Sequence, residues 1–278
     1  MKKHKKGSLS TVILIVVFLI GLSLLLYPTV SDYWNKFHQS QAIAEYVEAV
    51  ADMDDDTYDQ MLADAHAYND SLTRRSNSYI LSDEHEKRYD ELLNVSGLGI
   101  MGYIEIPEIN CSLPIYHGTD AAVLQIAIGH IEWSSLPVGG ASTHCVLSGH
   151  RGLPSAKLFT DLDKLEIGDT FMLRVLDEVL TYEVDQILIV EPEDTSALLI
   201  EPGMDYCTLV TCTPYGVNTH RLLVRGHRVA NGANASSVRV TADAMRVDPM
   251  IVAPIVAVPV LALLFVGTLI RTRKRKRG

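Results

Sequence analysis

The chain has 278 residues and carries 34 acidic against 24 basic side chains, a net charge of −10. That balance excludes a nucleic-acid binder that works through a basic field. Four cysteines, at 111, 145, 207 and 212, are too few and too scattered for a disulfide scaffold.

Residues 1–8 form a basic tail with Lys2, Lys3, Lys5 and Lys6, and residues 9–27 are almost unbroken apolar sequence. This run is about as long as a membrane-crossing helix needs, and longer than the apolar core of a secretory signal. Tyr27-Pro28-Thr29 is a poor cleavage site, so the segment reads as an uncleaved anchor. Residues 28–96 are polar and acidic and read as a helical stalk of two or three helices, with a possible lid region. One apolar stripe is Ile43, Val47 and Val50, and a second is Tyr58, Met61, Leu62 and Ala65. Asp54, Asp55 and Asp56 supply a cap and negative charge for the start of a second helix. Arg74 to Asp83 shows no clear period.

From Gly97 the pattern changes to short β-rich runs between turn signals. They are Gly102–Ile106, Cys111–Tyr116, His144–Leu147, Thr170–Val175, Leu180–Val190, Cys207–Thr211 and Arg221–Val229. Strands this short and this frequent argue a β-barrel or sandwich over residues 97–230. Residues 231–249 read as a small-residue linker. Residues 250–270 form a second apolar run, and 271–278 a second basic tail. By the positive-inside rule both termini are cytoplasmic and the middle is extracellular. Ten of the 24 basic residues stand in the two tails, leaving 14 against 34 acids, a charge of about −20, for the external part.

Within that domain three positions suit cysteine catalysis, which needs an available thiolate, a proton shuttle and oxyanion donors. Cys212 ends an apolar strand and precedes the turn Thr213-Pro214-Tyr215-Gly216, so it stands at a rim. His150 follows Cys145-Val-Leu-Ser-Gly in the same kind of place. Arg221 opens the next strand, and a loop between it and Cys212 returns the chain to the same end. Cys207 and Cys212, five apart, point to opposite faces and do not pair. Cys111, Cys145 and Cys207 read as small buried apolar residues. Thr211 and Ser148 read as strand filler. The histidines and cysteines lack close paired spacing, so no metal site is expected.

The stretch Thr208-Leu-Val-Thr-Cys212-Thr-Pro-Tyr-Gly-Val-Asn-Thr-His-Arg221-Leu-Leu-Val-Arg-Gly resembles the active-site signature of the sortases, in particular the pilus-assembling class C sortases. Leu147-Ser-Gly-His150-Arg-Gly-Leu-Pro resembles the family's histidine motif. Gly102-Tyr-Ile-Glu-Ile-Pro107 and Leu113-Pro-Ile-Tyr-His-Gly-Thr119 resemble its first two strands. The likeness runs from about Gly97 to Val229 in consistent order. It implies a closed β-barrel of about eight strands with an N-terminal helical flank, between two transmembrane helices. It implies that Cys212 attacks the Thr-Gly bond of an LPXTG-like sorting signal on a pilin or surface protein and forms a thioacyl-enzyme. His150 then acts as general acid and base, and Arg221 holds substrate and oxyanion. The acceptor is an amine, a pilin lysine for a pilus sortase. A housekeeping sortase that uses a wall precursor, a cysteine hydrolase and a non-catalytic anchored scaffold are the competing readings. No cofactor is implied. Class C sortases usually carry a lid with an Asp-Pro-aromatic motif; the corresponding stretch, Asn77 to Asp83, lacks it, though Tyr79 could occupy the groove.

Overall fold

A computed structural model describes residues 6–73 and 83–232. The chain begins with α1 (Lys6–Ala51), a single helix that runs from the apolar segment through Pro28 and onto the domain surface. Among the described residues α1 is the helix long and apolar enough to cross a membrane, and its apolar window is unburied. The second apolar run, 250–270, and the stretch 77–82 lie outside the described residues. Next come α2 (Asp55–Thr73) and α3 (Asp83–Glu91). Asp54 caps α2: the amide and hydroxyl of Thr57 both donate to its carboxylate, at 2.9 and 2.8 Å.

The strands are β1 (Ile100–Ile106), β2 (Cys111–His117), β3 (Ile128–His130), β4 (Thr143–Ser148), β5 (Thr170–Val175), β6 (Glu178–Val190), β7 (Asp205–Thr213) and β8 (His220–Val229). The short helix α4 (Ala121–Leu124) precedes β3. The strands close into a barrel in the order β1-β2-β3-β4-β7-β8-β6-β5. Closure leaves no free edge, which suits a domain built from many short strands. Most pairs are antiparallel; β2 with β3 and β4 with β7 are parallel. The interior is filled by Ile104, Ile115, Leu147, Phe171, Leu173, Tyr182, Leu209 and Val224, all buried. The sequence reading finds seven of the eight strands. It misses β3, whose three residues Ile128-Gly-His130 are too few to show a period.

The helical flank packs through polar tips as well as apolar bodies. On α1 the expected stripe keeps Ile43 and Val50 packed inward, but between them Tyr46 is fully buried and Val47 is exposed. A tyrosine wins the inward position because its hydroxyl is used there. It donates to the Met101 carbonyl at 3.1 Å and accepts from the Leu176 amide at 2.7 Å. On α2, Tyr58, Met61, Leu62 and Ala65 pack on the main core as the pattern suggests. Asn69, also on α2, is buried and makes a two-way amide pair with Leu136, donating to its carbonyl at 3.1 Å and accepting from its amide at 2.7 Å. On α3, the buried Tyr89 hydroxyl accepts from the Gly118 amide at 3.0 Å and meets His130 Nδ1 at 2.9 Å.

Asn69→Ala removes both halves of its pair and leaves the buried Leu136 amide unpaired, while the Leu136 carbonyl keeps the Val138 amide at 2.8 Å. A loss of about 1–3 kcal/mol is expected from denaturant unfolding. Burial also holds the imidazoles of His117 and His144 below their ordinary pKa, against the raising effect of the carbonyls they face. Both folded values lie below the unfolded value of about 6.5, so the unfolded chain takes up more protons as pH drops through it. Stability is therefore expected to be intact above about pH 6.5 and to decline below it. Denaturation midpoints at about pH 7.5 and about pH 5.5 measure the decline, and His144→Gln should reduce it.

Candidate functional site

Two strand pairings bring the three candidate residues to one level. In β7–β8, Cys212 lies directly opposite Arg221, at the spacing where cross-strand side chains meet. In the parallel pair β4–β7, Ser148 is aligned with Val210. The ladder continues one step further, where the Gly149 amide donates to the Val210 carbonyl at 3.0 Å. Carrying the register forward sets His150 beside Cys212. The order around this rim of the barrel is then His150, Cys212, Arg221, each half-buried.

Strand alternation decides which way the thiol faces. Cys207 and Leu209 belong to the main core, while Val210 belongs to a separate outer cluster with Val146, Leu198 and Leu223. Cys212 shares the face of Val210, and Arg221 that of Leu223. Trp133, Ile131, Leu188 and Val190 border the same cluster. Leu198 reaches it from a 3-10 turn, Ser196–Leu198, in the β6–β7 connection. A buried apolar cluster therefore lies on the outside of β4, β7 and β8, on the face that carries Cys212. Of the other cysteines, Cys145 and Cys207 are buried in the barrel; Cys111 packs on its edge, where burial pushes its thiol up to about 12.

The loop after β4 is held tightly. Gly149 has no room for a side chain: a Cβ there would stand 2.7 Å from the Phe159 ring and 2.9 Å from Ile128. The Thr211 hydroxyl donates to the Gly149 carbonyl at 2.7 Å, and the Phe159 amide to the His150 carbonyl at 3.1 Å. Thr211 is thus more than strand filler: it ties the residue before His150 to the residue before Cys212. Arg151 makes a second tie. Its guanidinium donates to the Thr213 hydroxyl at 3.3 Å, pairs with Asp163, and lies over the Tyr215 ring. Gly152, at φ +77°, gives that ring space, since a Cβ would meet it at 2.9 Å. Arg221 is itself oriented by the β7–β8 turn, donating to the carbonyls of His220 at 3.2 Å and Asn218 at 3.4 Å.

Sequence reasoning identifies the three rim residues and misses Arg151, Asp163 and the role of Thr211. The adjacent His150-Arg151 pair is the one signal that could have pointed to Arg151. Nothing local marks Asp163, which reaches the rim from twelve residues on.

A thiol, an imidazole and a guanidinium abreast on a rim can attack an acyl group, move its protons and stabilise its oxyanion. The chain resembles known proteins in sequence and in fold. The Sortase domain matches residues 104–229. Sortase D of Bacillus subtilis is 36% identical over 131 residues, 46% of this chain and 63% of that protein. The chain thus spans less than two thirds of that curated relative. The crystal structure of sortase C1 from Streptococcus agalactiae is 52% identical, with a TM-score of 0.68, covering 69% of this chain and all of that one. Sortase C from Streptococcus pneumoniae is 45% identical at a TM-score of 0.61, covering 69% of this chain and 97% of that one. With an eight-stranded barrel in common and 52% identity to a solved class C sortase over 69% of this chain, the chain belongs to the sortase family of cysteine transpeptidases, in its class C.

Proposed function

We propose that this sortase is a membrane-anchored transpeptidase that joins proteins bearing an LPXTG-like sorting signal to an amine, a pilin lysine. The observation that carries the reading is the shared level of His150, Cys212 and Arg221, fixed by the β4–β7 and β7–β8 registers. The Cys212 sulfur attacks the threonine carbonyl carbon. Arg221 stabilises the resulting oxyanion, and His150 delivers a proton to the departing glycine amine as the C–N bond breaks. The thioester that remains is attacked by the acceptor amine, whose proton passes to His150 as the C–S bond breaks and the new amide forms. The pilin acceptor is supported by the class C neighbours, one of which, from Streptococcus pneumoniae, is described in terms of pilin substrate specificity. The apolar part of α1 supports anchoring.

The full-length protein in nanodiscs, incubated with an LPXTG peptide and a lysine-bearing peptide, should yield a joined product detectable by mass spectrometry. Cys212→Ala should lower that yield by about 10³-fold or more. Cleaved peptide with no joined product, even when pilin is supplied, would replace transfer with hydrolysis.

Thr211→Val keeps the side-chain shape but frees the Gly149 carbonyl. It is expected to cost about 1–2 kcal/mol in unfolding experiments. Loosening the hold on His150 should also lower kcat about five-fold while KM changes little, as steady-state kinetics would show.

A further inference from the structure

The hydrogen bonds that fasten α1 to the barrel fix where the catalytic rim lies relative to the apolar segment. Three contacts tie the upper part of α1 to the rim. The Lys157 amide donates to the Asp32 carboxylate at 2.8 Å, the Asn35 side chain to the Ser155 carbonyl at 2.7 Å, and the Gln39 side chain to the Ile126 carbonyl at 2.5 Å. Ser155 and Lys157 belong to the loop that begins at His150, and Ile126 leads into β3 at the same end of the barrel. Further along α1, Tyr46 meets Met101 and Leu176, at the opposite end. The helix therefore passes the catalytic rim first and the far end second.

Helical rise then sets the depth. Asp32 lies five residues beyond Tyr27, where the apolar run ends, so it stands only about 8 Å past the apolar boundary. That distance is close to the thickness of one headgroup layer, about 5–8 Å. Tyr27, Trp34 and Phe37 on this part of α1 are all more than half exposed, and aromatic residues concentrate at that depth. The rim loops offer matching groups. Tyr215, seated on Arg151 and Gly152, is 61% exposed, and Val217 is 66% exposed. Lys36, Lys157 and Lys164 surround Asp32 and Asp161 in the same region. With the neighbouring Arg151–Asp163 pair these residues make four cations against three anions, although the external part as a whole is strongly acidic.

We propose that the catalytic rim faces the surface of the lipid bilayer in which α1 is embedded, with Tyr215 and Val217 in the headgroup layer. The active site then opens toward the membrane, not toward bulk solvent. A substrate tethered in the same bilayer meets Cys212 at a far higher effective concentration than the same peptide free in solution.

The inference rests on α1 crossing the bilayer, and the test separates the two. In a background with Trp34→Phe and Trp133→Phe, single tryptophans are placed at Phe18, at Val217 and at Glu178 of the opposite end. Each full-length variant is reconstituted into vesicles containing lipids brominated near the headgroup or deep in the acyl chain. Phe18→Trp should be quenched by the deep bromines, Val217→Trp by the shallow ones, and Glu178→Trp by neither. An unquenched Phe18→Trp would overturn the anchor and this inference together. A quenched Phe18→Trp with Val217→Trp and Glu178→Trp equally quenched, or both unquenched, would overturn the inference alone. The unsubstituted chain gives a second readout: gadolinium-labelled headgroups should broaden the methyl signals of Val217 and leave those of Val179 sharp. Equal broadening at both positions would overturn the inference.

Discussion

The site depends above all on the parallel pairing of β4 with β7. Two parallel neighbours cannot be joined by a tight turn, and here the residues that meet, Gly149 and Thr211, are 62 positions apart. The chain uses the interval to lay down β5 and β6, which return along the other side and close the barrel through β1 and β8. Because β4 and β7 run the same way, both strands end on the same rim. An antiparallel pairing would have sent His150 and Cys212 to opposite ends. The register matters equally, since a slip of one residue would turn the thiol from the outer face into the barrel core.

The loops at that rim show how a strand pairing becomes a positioned site. Two short ties, Thr211 to the Gly149 carbonyl and Arg151 to the Thr213 hydroxyl, cross between the His150 and Cys212 segments on either side of these two residues. Arg151 is in turn held by Asp163 and covered by Tyr215. Both glycines beside His150 follow from the same crowding. Gly149 yields its space to Phe159, and Gly152 to Tyr215. Sterics thus reserve these positions for glycine before any chemistry is considered.

How much of this was legible in the sequence follows from how local each signal is. Cys212 and Arg221 share one hairpin, and their types and spacing can be read within ten residues. His150 needed only its strand-end context. Strands long enough to show alternation were found, and β3, at three residues, was not. On α1 the hydropathy pattern favoured Val47, whereas the fold buried Tyr46. The hydroxyl partners that make a buried tyrosine favourable, Met101 and Leu176, are 55 and 130 residues away. Asp163 and Thr211 were missed for the same reason. Their importance lies in groups they touch across the fold, and one sequence does not carry that information.

The same long-range logic links the proposed anchor to the proposed chemistry. A flexible tether would let the domain tumble, and the height of its active site above a membrane would be an average. Here the connection is helix throughout, 46 residues without interruption, and side chains on three of its turns are bonded to the loop after His150 and the approach to β3. The helix also presses Ile43 and Tyr46 onto Ile100 and Tyr103, so its lower part cannot swing away without exposing core. Rotation of the domain about its anchor is then opposed by packing at one end and by hydrogen bonds at the other. On the proposed orientation, the approach direction is set by the first fifty residues, before any substrate arrives.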